Sequence, residues 1–70
     1  MKEIKFNEKY NIIQLKRKNI YEWYIEKIGY GSLFYMIGCE NNVKPKNNYI
    51  ADMIKIAENN KFWGEEIKEN

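Results

Sequence analysis

One cysteine and no histidine in a chain of 70 residues leave packing as the only means of holding a fold together. A single thiol closes no disulfide within the chain, and Cys39 without any imidazole cannot complete the four-ligand set of a structural zinc. At this length only about 60% of the surface of the unfolded chain is buried on folding. One such core supplies no more than roughly 3–5 kcal/mol. Aromatic side chains bury the most surface per residue. Between Ile20 and Cys39 the chain carries six of them: Tyr21, Trp23, Tyr24, Tyr30, Phe34 and Tyr35. The expectation is a single small domain over 1–70, held by aromatic packing, with no metal and no cofactor. Self-association stays open as a way of enlarging so small a core.

Composition narrows the rest. The alternation of charged and apolar residues in Met1-Lys2-Glu3-Ile4-Lys5 is unlike a signal peptide. Leu33 to Cys39, the longest apolar run, falls far short of the ~20 residues a membrane-spanning helix needs. An unpaired cysteine agrees with a reducing compartment, so the expected location is cytoplasmic. The net charge of +2 is too small to imply a nucleic-acid partner by itself. Its distribution is uneven: residues 1–20 hold six basic residues against two acidic ones, whereas the tail from Ala57 onward is acidic. Abundant Ile, Lys and Asn fit AT-rich coding, as in low-GC bacteria and their phages.

Periodicity predicts the elements. Ile4 and Phe6 alternate with charged neighbours as in a short strand, and Asn7-Glu8-Lys9 reads as a turn. From Tyr10 to Lys16, Ile13 and Leu15 share one face and Tyr10, Ile12 and Gln14 the other. Lys16-Arg17-Lys18-Asn19 reads as a hairpin turn, with Asn19 the residue that tolerates a left-handed conformation. Ile20 to Ile28 admits two readings. As a helix it would be capped by Asn19 and ended by Gly29. As a strand it places Tyr21, Trp23 and Ile25 on one face, and the β-favouring Tyr, Trp and Ile tip the expectation to strand. Gly29-Tyr30-Gly31-Ser32 is a turn. In Leu33 to Glu40, alternation sets Leu33, Tyr35, Ile37 and Cys39 on one face and Phe34 and Met36 on the other.

After a loop over 41–48 containing Pro45, the period becomes helical. Ile50, Met53, Ile54 and Ala57 form an apolar stripe, with Asn48 as the expected N-cap and Asn59-Asn60 as the stop. Phe62, Trp63 and Ile67 suit a short second helix, so the helical segment is expected over about 49–68. The predicted fold class is α+β: a four-stranded antiparallel meander over about 2–40, covered on one face by a main C-terminal helix.

No arrangement of residues announces catalysis, and the expectation is a protein that is not an enzyme. Cys39 has no histidine to act as its base and ends an apolar strand, so it reads as structural. Glu22 and Glu26 on a strand would stand about 13 Å apart at ~3.3 Å per residue, too far for a carboxylate pair. Gly29 to Ser32 lacks the Lys-Ser/Thr ending and the following helix of a phosphate loop. A sheet apolar on both faces but covered by one main helix leaves aromatic surface over, and such surface marks partner sites. Tyr24, Tyr30 and Trp63 are the expected partner-binding aromatics, and Lys16, Arg17 and Lys18 a basic turn that steers association.

The function this composition points to is non-catalytic. An aromatic or sheet-edge surface docks on a larger intracellular protein or ribonucleoprotein and blocks or modulates it. A compact, motif-free chain of AT-rich origin is similar in type, with no family motif, to phage or mobile-element inhibitors of bacterial defence such as anti-CRISPR proteins. The alternative is a nucleic-acid-binding module in which the Lys16-Arg17-Lys18 turn meets phosphates while Tyr10, Tyr21 and Tyr24 stack on bases.

Overall fold

The computed structural model describes residues 1–64. Strands β1 (Lys2–Lys5), β2 (Tyr10–Arg17), β3 (Ile20–Lys27) and β4 (Leu33–Cys39) are followed by helix α1 (Asn47–Asn59). The strands form an antiparallel meander in the order β1-β2-β3-β4, the α+β class expected. Each connection has a local cause. Asn7 turns β1 into β2 by accepting backbone N–H bonds from Lys9 (2.8 Å) and Tyr10 (2.9 Å) on its side-chain oxygen. Gly29 (φ 90°) and Gly31 (φ 78°) turn β3 into β4 in a left-handed conformation that side chains disfavour. Between β2 and β3 the left-handed residue is Lys18 (φ 56°), one position before the expected Asn19.

Register assigns every strand residue to a face. Tyr10, Ile12, Gln14 and Lys16 stand opposite Lys27, Ile25, Trp23 and Tyr21, and Ile4 stands opposite Ile12. In β4 the expected alternation fails. Ile37 opposes Trp23 while Tyr35 opposes Tyr24, so Met36 is an extra residue, a β-bulge. Phe34, Ile37 and Cys39 therefore join the Trp23–Ile25 face, and Leu33 and Tyr35 turn to the other. Met36 itself packs into the core.

Helix α1 lies on the Trp23–Ile25 face. Ile50, Ile54 and Ala57 are its buried residues, and Ile50 and Ile54 cluster with Tyr10, Ile12, Trp23, Ile25 and Met36. Two side-chain bonds hold the helix on the sheet: the Tyr49 hydroxyl donates to the Met36 carbonyl (3.2 Å) and the Tyr10 hydroxyl to the Glu58 carboxylate. The helix starts two residues before the expected Tyr49. Lys46 occupies the N-cap position with no side-chain capping bond, so Asn48 lies inside the first turn.

The far end matches the expected Asn59-Asn60 stop, with Asn60 as C-cap. It closes in a Schellman arrangement: Lys61 N–H donates to the Glu58 carbonyl (3.0 Å) and Phe62 N–H to the Ala57 carbonyl (2.9 Å). Lys61 takes the left-handed position there with φ 54°. Residues 60–63 form a turn rather than the start of a second helix, and Ile67, placed in that helix by the periodicity, lies outside the described residues. The loop over 41–46 folds on the same side of the sheet, where the Gln14 amide donates to the Asn42 side-chain oxygen. Among the described residues no helix is long and apolar enough to cross a membrane.

Candidate functional site

All the described elements outside the sheet pack on one of its faces, and the opposite face is left uncovered. Its centre is Ile13, only 3% exposed although no helix lies above it. Glu3 and Tyr24 flank Ile13 across the strands. Tyr24 meets Tyr35 edge-on, with ring centroids 5.5 Å apart and planes at 71°, a favourable geometry for aromatic pairs. Tyr35 remains 50% exposed. Leu15 and Leu33, half-buried, extend the patch along both diagonals.

The Met36 bulge places Tyr35 and Gly38 three residues apart on one face, and the phenol lies over the glycine. A Cβ at Gly38 would fall 2.9 Å from the Tyr35 hydroxyl oxygen and 3.1 Å from Ile20 Cγ2. Gly38 is thus the seat of the Tyr35 side chain, a pairing of aromatic and strand glycine that protects the exposed backbone.

Polar groups rim the patch. The Tyr24 hydroxyl donates to Glu22 Oε1 (3.0 Å), and Arg17 Nε lies 3.7 Å from the same oxygen. Desolvation raises the Tyr24 phenol above its ordinary pKa; the Glu22 hydrogen bond and charge act in the same direction, and Arg17 opposes them. Further along, the Asn11 amide donates to both Glu3 Oε1 (3.0 Å) and Glu26 Oε1 (3.1 Å). Glu22 and Glu26 therefore serve separate bonds and form no acid–base pair.

The three aromatics predicted as partner contacts do not share a surface. Tyr24 belongs to the uncovered face. Tyr30 stands at the β3–β4 turn, where Lys27 Nζ lies 4.6 Å from its ring centroid. Trp63 lies on the helix side, with Nε1 donating to the Ser32 carbonyl (3.0 Å). Its ring contacts Tyr10, Phe34 and Phe62 at 5.5, 6.2 and 5.2 Å. Lys16, Arg17 and Lys18 are exposed at the β2–β3 turn. Of the tyrosines expected beside that turn, Tyr21 accompanies Lys16, its ring centroid 5.3 Å from Lys16 Nζ, and Tyr24 reaches Arg17 only through their shared Glu22. Tyr10 is buried at the opposite end of β2, and Tyr24 points to the other face.

Sequence reasoning passed over Ile13, Tyr35 and Gly38 as contributors to a surface. Strict alternation put Tyr35 on the face of Ile37 and Cys39, and only the one-residue slip at Met36 reverses it. Among the described residues no three of His, Cys, Asp or Glu stand together to hold a metal ion. No protein-family model, curated protein or solved structure matches the chain.

Proposed function

We propose that this protein is a non-catalytic binding module that docks the uncovered face of its sheet on a larger intracellular protein. The single observation that carries this reading is the Tyr24–Tyr35 pair, seated on buried Ile13 and Gly38, on a face where no described element lies. Tyrosine presents large contact area with few rotatable bonds, which keeps the entropy cost of docking low. The rim decides the class of partner. Glu3, Glu22 and Glu26 stand on this face against Lys5 and Arg17, and carboxylates on both flanks repel a phosphate backbone. A protein surface with an apolar centre and mixed charge fits instead.

The module acts by occupying its partner, as an inhibitor or adaptor, and a phage or mobile-element inhibitor of bacterial defence is the biological setting its composition favours. Lys16 and Lys18 contribute to the rate of encounter rather than to the docked contact, and Arg17 contributes to both. The test is capture of partners from nuclease-treated bacterial lysate by wild type, Tyr35→Arg and Tyr30→Arg. The reading expects a discrete protein retained by wild type and Tyr30→Arg and lost from Tyr35→Arg, with all three proteins folded by far-ultraviolet circular dichroism. Capture that depends on intact nucleic acid, or that is indifferent to Tyr35→Arg, overturns it.

A further inference from the structure

On the helix side, where β4 ends and α1 begins, lies a second and separate feature. An open cleft of about 410 Å3 has Ile37, Val43, Pro45 and Tyr49 for apolar walls and Lys44 and Lys46 for cations. Among the described residues no carboxylate lines it. The Lys44 ammonium is held across the start of the helix by the Pro45 carbonyl (3.0 Å) and the Asn47 side-chain oxygen (2.9 Å). The first turn of α1 contains no acidic residue to offset these charges. Lys16 adds a further cation at this end of the sheet, because register lines up Lys16, Tyr21 and Cys39 across β2, β3 and β4.

We infer that this cleft binds an acidic peptide segment of a partner, with one apolar side chain inserted between Val43, Pro45 and Tyr49 and flanking carboxylates on Lys44 and Lys46. Charge complementarity selects the anion: the cleft offers cations and an apolar floor, with no carboxylate among its described lining residues. Its shape selects a peptide over a small ligand. Small-molecule pockets enclose most of the ligand surface, whereas here the Val43 wall is itself 68% exposed and the cleft lies open to solvent. A single anchor residue on a longer segment needs no such enclosure. The site is independent of the uncovered sheet face.

The test uses the full chain and a fluorescein-labelled short peptide with one Phe between Glu residues, read by anisotropy at low salt. Companion peptides carry Gln for Glu or Ala for Phe, and free 4-phenylbutyrate serves as a small-anion competitor. Lys46→Glu is the informative variant. It reverses a charge on the cleft yet places an acid at a helix N-terminus, which favours folding. The expected result is saturable binding of the Glu–Phe peptide, weakened about tenfold by either peptide change and by Lys46→Glu. Amide shifts on binding should fall on Ile37, Cys39, Val43, Lys44 and 46–49 and spare Tyr24 and Tyr35. The inference is overturned by absent binding, by equal binding of the Gln peptide, by an indifferent Lys46→Glu protein, or by shifts on the Tyr24–Tyr35 face. Phenylbutyrate competing as strongly as the peptide itself would assign the cleft to a small anion, which also overturns it.

Discussion

Ile50 and Ile56 allow the same substitution to be made twice on one helix, and the structure assigns the two very different costs. Ile50 is fully buried against the sheet, whereas Ile56 is 46% exposed. Ile50→Ala removes three carbons from the core, about 2.4 kcal/mol of transfer free energy at ~0.8 kcal/mol per carbon. The unfilled volume adds about 1 kcal/mol, and the better helix propensity of Ala returns about 0.4 kcal/mol. The net loss is about 3 kcal/mol, comparable with the roughly 3–5 kcal/mol available to a core of this size. Ile50→Ala should therefore keep no more than about 0–2 kcal/mol and be measurably unfolded at 37 °C. Ile56→Ala gains the same propensity, leaves no cavity and gives up only about half the burial, so its stability should stay within about 1 kcal/mol of wild type. Urea denaturation followed by far-ultraviolet circular dichroism measures both. Equal losses from the two substitutions would mean that α1 does not dock through its Ile50–Ile54–Ala57 side. The identity of the uncovered sheet face would then fall with it.

Three further outcomes follow from local geometry. Lys61→Gly relieves a left-handed residue in the Schellman turn at the cost of some unfolded-state entropy, and should stabilise by about 0.5–1 kcal/mol, seen as a higher melting temperature. Tyr10→Phe deletes the hydroxyl bond to the Glu58 carboxylate; a loss of about 1–2 kcal/mol is expected, with faster amide exchange in the last turn of α1. The raised pKa of Tyr24 means that its neutral phenol is favoured by folding. That contribution is complete below the ordinary tyrosine pKa and is lost as pH rises through the higher folded value. In an alkaline absorbance titration of the native protein, Tyr24→Phe should remove a late-titrating phenol; removal of an early one would contradict the Glu22 contact.

The strands and the helix were legible because each repeats a simple pattern. Tyr10, Ile12 and Gln14 alternate with Ile13 and Leu15, and Ile50, Met53, Ile54 and Ala57 recur at helical spacing. Gly29 and Gly31 marked their turn because positive φ is a property of the residue itself. What escaped depends on neighbours distant in sequence. The bulge at Met36 leaves no mark in Leu33–Cys39, where nearly every residue is apolar and either register looks acceptable. Lys18 and Lys61 adopt positive φ under the demands of their turns, against residue preference. Trp63 looked like surplus because its partners Ser32, Phe34 and Tyr10 come from other elements. The cleft above Ile37 arises from the path of the loop over 41–46, and composition shows that stretch only as a loop.

The bulge also determines how binding can be separated from folding. Without it, alternation would bury Tyr35 with Ile37 and turn Phe34 and Met36 to the uncovered face. With it, β4 serves two faces at once: Phe34, Met36 and Ile37 pack toward the helix, while Tyr35 lies over Gly38 on the other side. The two tyrosines of the candidate face are consequently unequal. Tyr24 stands beside Ile13 and bonds Glu22, so removing it uncovers a buried residue and frees a polar group. Tyr35 is half exposed and rests on a glycine, so removing it uncovers backbone and the edge of the Tyr24 ring but none of the core cluster. A surface built for docking alone would load both rings equally. Here one ring belongs to the fold and the other to the surface, and Tyr35 is the position where lost binding can be read without lost structure.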